Sequence, residues 1–126
     1  MHIVLYEIFD ALTRLGYDPK MNESETGYTF NFNLELAICR FDVDSNLVTF
    51  IVPCLHKTVN EDSIEVVRRV NSRNHVGRLV NLDGSAVSAV SSFYVFNDKG
   101  VDTQVCFAIN DLNRLINDYF TLLLEA

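Results

Sequence analysis

The 126-residue sequence predicts an α+β fold of order α-βββ-α-βββ-α, with helices packed on one face of a mainly antiparallel sheet. Three observations predict it. Apolar residues recur at helical spacing at the start, middle and end of the chain. Between these segments they alternate with polar residues. Each half reads as a helix followed by a meander.

The first helix follows from Leu5, Ile8, Phe9, Leu12 and Leu15, which share one helical face. Gly16 then offers a left-handed terminus, and Pro19 prevents resumption. From Gly27 the period becomes two, with Tyr28, Phe30 and Phe32 alternating with Thr29, Asn31 and Asn33. Residues 36–43 form a second strand, Asp44-Ser45-Asn46 a turn, and residues 47–52 a third strand that stops at Pro53. Asn60 is placed to cap a second helix, with Glu61 and Asp62 at its positive end and Ile64, Val66, Val67 and Val70 as its apolar stripe. Arg68, Arg69 and Arg73 crowd its end, where cations suit the helix dipole. Leu79 to Leu82 leads into Asp83-Gly84, a strong hairpin signal. A long strand over 86–96, a turn at 97–100 and a strand over 101–108 complete the second meander. Asn110 or Asp111 would cap a last helix carrying Leu112, Leu115, Ile116, Tyr119, Phe120 and Leu123. Phe30, Phe32, Ile38, Leu79 and Val95 are expected between sheet and helices.

A chain of this length fits one domain over 1–126. Its composition, 48% hydrophobic and 11% aromatic, supplies enough apolar area to offset chain entropy. Ten basic against seventeen acidic residues, a net charge of −7, argue against nucleic acid or anionic membrane as a partner. A basic partner is compatible. No apolar run approaches the roughly 20 residues that span a bilayer. The opening MHIVLYEIFDALTRLG has Glu7 and Asp10 within its apolar pattern and no basic leader, unlike a signal peptide. Cys39, Cys54 and Cys106 cannot all pair within one chain. Buried free thiols in strands at Cys39 and Cys106, in a reducing cytoplasm, are the expectation.

The run VNSRNHVGRLVNLDGSAVSAVSSFYVF, followed by a turn, a strand and an amphipathic helix, resembles the YbjN family of small bacterial proteins. That family's middle helix ends in Asn-x-x-Asn, matched by Asn71 and Asn74, and its hairpin by Asp83 and Gly84. The resemblance is clearest from about Asn60 to Leu124. It implies a fold similar to the class I type III secretion chaperones, which are small, acidic, dimeric and not catalytic. The family has also been described as sensory-transduction regulators. No catalytic residue is carried over.

Among candidate sites, Asn71 and Asn74 could form a ligand pair, but near a helix end such spacing more often serves the backbone. Arg68, Arg69, Arg73 and Arg78 with His75 form the one local basic group. A solvated helix end, with Glu65 paired to Arg69, is favoured over a phosphate or acidic-peptide contact. Cys54 and His56 alternate across Leu55, yet zinc needs about four ligands. No metal, cofactor or nucleophilic site is expected. The small-residue strand containing Ser85, Val87 and Ala89 permits close approach of a covering helix or a second subunit. The reading is therefore a non-enzymatic homodimer that also binds an unidentified protein partner. Arg69, Arg73, Arg78, Ser85, Val87 and Ala89 are its candidate contacts. The alternative is a small-ligand or nucleotide sensor using the basic helix end. The absence of phosphate-loop, nucleophile-elbow and His-Glu-x-x-His patterns argues against an enzyme.

Overall fold

In the computed structural model, which describes residues 1–56, 60–73, 75–81, 86–96 and 100–125, α1 (Ile3–Arg14) opens the fold. His2 caps it by accepting from the Val4 N–H at 3.1 Å. Val4, Leu5, Ile8, Ala11 and Leu12 form its buried face, while Phe9 and Leu15 sit at its margin, 41% and 42% exposed. Gly16 adopts φ +96° as the spacing predicts, and the Tyr17 N–H reaches back to the Leu12 carbonyl at 3.0 Å.

The strands β1 (Lys20–Met21), β2 (Gly27–Phe32), β3 (Glu35–Asp42) and β4 (Leu47–His56) follow. Then come α2 (Glu61–Asn71), β5 (Arg78–Val80), β6 (Val87–Tyr94) and α3 (Val101–Glu125). All strand pairs are antiparallel, in the order β1-β2-β3-β4-β6-β5. The fold class is as expected: six antiparallel strands with helices on one face.

The distribution of the strands differs from the expectation. The first half gains the short β1, and β4 continues through Pro53 to His56 with its register shifted between Val52 and His56. Such an irregularity is where a strand tolerates a residue without an N–H. Residues 101–108, expected as a strand, are the first two turns of the 25-residue α3. Val101, Val105, Ala108, Ile109 and Leu112 bury one helical face, so Asp111 lies within the helix and does not cap it. The Asp83-Gly84 turn lies outside the described residues. The strands on either side of it, β5 and β6, do pair antiparallel, with Leu79 opposite Ala89.

The core lies between the helices and the strand positions Tyr28, Phe30, Phe32, Ala37, Cys39, Phe41, Val48, Phe50 and Val52. Phe30, Phe32, Leu79 and Val95 are buried as expected. Ile38 is not: Ala37, Cys39 and Phe41 point to the helices, so the intervening Ile38 turns to the opposite face. In α2, Val66 and Val70 are buried and Val67 packs at the margin, but Ile64 is 55% exposed. Asn60 caps α2 through a reciprocal box with Ser63: the Ser63 N–H donates to Asn60 Oδ1 at 2.9 Å, and the Asn60 N–H to Ser63 Oγ at 2.8 Å.

Cys39 is fully buried, and burial pushes its thiol well above the ordinary thiol range. Cys106, expected in a strand, sits half-buried on α3, and Cys54 is also half-buried. A thiol reagent should therefore label Cys54 and Cys106 in the native protein and Cys39 only on unfolding. Rapid native labelling at Cys39 would contradict the packing of β3 against the helices.

Candidate partner surface

The face of the sheet away from the helices carries an apolar stripe. Ile38 lies opposite Ile51, and Ile51 opposite Val90, so the stripe crosses β3, β4 and β6. Pro53, Val80 and Ala86 extend it into a groove of about 470 Å³, bordered by Ser88. Ser88 donates its hydroxyl to the Pro53 carbonyl at 2.6 Å and so faces this groove. These side chains are half-buried within one chain, and among the described residues no helix lies above them.

The structure disperses the sequence-predicted contacts. Val87 and Ala89 are fully buried: Ala89 pairs with the buried Val52, so both point under the helices and no partner can touch them. For these two residues, packing within the chain is the correct reading. Ser85 lies outside the described residues. Arg69, Arg73 and Arg78 are all exposed, and Arg73 lies 3.6 Å from Asp118. None of the three arginines lines this groove or the β6–α3 cleft described below. Glu65 pairs with Arg68 at 2.6 Å, not with the expected Arg69, and this contact holds its carboxyl below the usual range.

Asn71 serves the backbone. Its Nδ2 donates to the Leu79 carbonyl and its Oδ1 accepts from the Leu79 N–H, both at 2.8 Å. The amide thus pairs with the outer edge of β5 as a neighbouring strand would. Asn74 lies outside the described residues.

Reading the sequence missed the role of Asp111, which is 2% exposed. Its carboxylate accepts from the Val76 N–H at 3.2 Å, the Gly77 N–H at 2.6 Å and the Ser91 hydroxyl at 3.0 Å. Arg114 lies 3.6 Å from it. His75 donates from Nε2 to Asp118 Oδ2 at 2.9 Å, and its Nδ1 is 3.8 Å from Asp111 Oδ1. One face of α3 therefore holds the segment entering β5. Gly77 makes this approach possible, since a Cβ there would lie 2.1 Å from the Val90 carbonyl oxygen.

Cys54 and His56 gather no metal set: among the described residues, no three His, Cys, Asp or Glu side chains are grouped to hold an ion. His56 Nδ1 instead meets the Tyr119 hydroxyl at 2.6 Å. Burial raises the Tyr119 phenol above its ordinary value, partly offset by a hydrogen bond with Ser63. No helix among the described residues is long and apolar enough to cross a membrane.

No protein-family model and no curated protein matches the chain. Among solved structures, it is similar to the Yersinia pestis type III secretion chaperone SycH, crystallised in complex with a stable fragment of YscM2. The TM-score is 0.63 at 10% identity, covering 94% of this chain and 98% of that one. The fold of this chain is that of a type III secretion chaperone.

Proposed function

We propose that the chain is a non-enzymatic, cytoplasmic, YbjN-like module that works as a homodimer and binds a polypeptide partner in a chaperone-like or regulatory role. The observation that carries this reading is the uncovered apolar stripe of Ile38, Ile51 and Val90. A sheet face with apolar residues on three adjacent strands and no covering layer invites a second polypeptide. Two-fold pairing is the commonest closed solution. The similar SycH structure is itself that of a chaperone in complex with a protein fragment, which supports a protein partner.

The test places a charge at the centre of the stripe. Ile51→Arg keeps a long side chain at a half-buried position, whereas Ala89→Arg would force a guanidinium into the core and report only on folding. Size-exclusion chromatography with light scattering should show two chains per particle for the native protein and one for folded Ile51→Arg. A native protein that stays monomeric well above micromolar concentration refutes the dimer.

A further inference from the structure

The β5 edge of the sheet is incomplete, and the Asp111 carboxylate explains why. β5 pairs with β6 only at Arg78↔Val90, Leu79↔Ala89 and Val80↔Ser88. Continued by two residues, this register would set Val76 opposite Ser92. The Val76 and Gly77 N–H groups are instead given to Asp111, which draws the chain off the sheet toward α3. Among the described residues, no strand covers β6 on that side from Ser91 to Tyr94.

The orientation of the uncovered peptide groups follows from the ladder. Leu79 spends both its N–H and its C=O on Asn71, so Arg78 and Val80 are the β5 residues that bond to β6. Their partners Val90 and Ser88 therefore turn their peptide groups toward β5. By the two-residue period Ser92 and Tyr94 turn theirs the same way, to the open edge. The Val95 N–H, one residue out of phase, donates to Asn46 on the β4 side at 2.8 Å. Against this edge lies a cleft of about 220 Å³ walled by Val76, Phe93, Phe107 and Ala108 and by Gln104, whose Nε2 donates to the Tyr94 carbonyl at 3.4 Å. Val76 and Phe107 are 81% and 68% exposed, and Tyr94 and Phe96 stand nearby at 54% and 90%.

We propose that this edge and cleft bind an extended peptide segment, neutral or basic in charge, as an added strand. Among the described residues the outward peptide groups of Ser92 and the Tyr94 N–H have no strand partner, and they are complementary to the backbone of a strand. The Tyr94 carbonyl is held by the Gln104 side chain, which an added strand would displace. The cleft beside them takes one apolar side chain of that strand. The net charge of −7 selects against acidic sequences and favours basic flanks. This surface is separate from the Ile51 stripe, so the proposal stands or falls independently of the dimer.

Ser92→Pro tests it. Proline removes the outward N–H and blocks the approach of a strand, while the β4 ladder loses nothing because it uses the alternate residues. The probe is a fluorescein-labelled synthetic peptide, Lys-Thr-Phe-Thr-Val-Thr-Lys, followed by anisotropy. Micromolar binding is expected, weakened about tenfold or more by Ser92→Pro and by Phe107→Ser. The same peptide N-methylated on alternate residues should lose binding in one of its two phases only. Phe107 is exposed on α3, so its variant tests the cleft even where the proline variant fails to fold. Absence of binding at millimolar peptide, or binding indifferent to both substitutions, overturns the proposal. A native dimer converted to monomers by Ser92→Pro also overturns it, because the edge would then be occupied by a second copy of this chain.

Discussion

Asp111→Ala should lower the free energy of unfolding by roughly 3–5 kcal/mol, measured by urea denaturation at neutral pH. The carboxylate is 2% exposed and accepts three hydrogen bonds, two from the peptide N–H groups of Val76 and Gly77 and one from Ser91. Alanine leaves all three donors without their acceptor and leaves a void between α3 and β6. Each orphaned donor costs about 1–3 kcal/mol where water cannot reach it. Asp111→Asn keeps the shape and one acceptor oxygen but turns an amide NH₂ toward donors, so it should fall between native and alanine. A loss below about 1 kcal/mol for the alanine variant would mean that this carboxylate does not hold the β5 segment.

Gly77→Ala should cost at least about 3 kcal/mol, by a different cause. Its Cβ would lie 2.1 Å from the Val90 carbonyl oxygen, 2.8 Å from Asp111 Oδ2 and 3.1 Å from Leu115 Cδ1. The closest of these is backbone in the next strand, so relief requires β5 to part from β6. With Asp111 already replaced by alanine, the segment can lift and the clash relaxes. The double variant should therefore be less destabilised than the sum of the singles, by about 1 kcal/mol or more. Strict additivity would show that the two residues act on separate parts of the fold.

Where one element had one period and one plausible face, its residues were legible in the sequence. Phe30 and Phe32 alternate with polar neighbours, and Leu79 and Val95 lie in short apolar runs. All four are buried. Residues 101–108 were misread because Val101, Thr103, Val105 and Phe107 also alternate with polar or small residues. The helical set Val101, Val105, Ala108 and Leu112 shows only when the window extends into the last helix. Val87 and Ala89 failed for a related reason. Small residues occupy both faces of β6, so composition does not say which face is covered. The pairing of Ala89 with Val52 decides it, and that pairing crosses from one half of the chain to the other. Asp111 was beyond sequence reading, because its partners Val76 and Gly77 are 35 and 34 residues away and offer only backbone. Asn71 was readable as a backbone server, although its partner strand was not.

The Asn71–Leu79 contact spans eight residues, whereas the Asp111–Gly77 contact spans 34. Closing the longer loop costs roughly 1 kcal/mol more chain entropy, so the shorter contact is favoured to form first as the chain folds. A chain emerging from the ribosome can then seal the outer edge of β5 before α3 exists. The inner edge, which needs β6, stays open only until residues 87–94 have followed. Intermolecular exchange during synthesis would therefore begin at the inner edge, with β6 of one chain completing β5 of another.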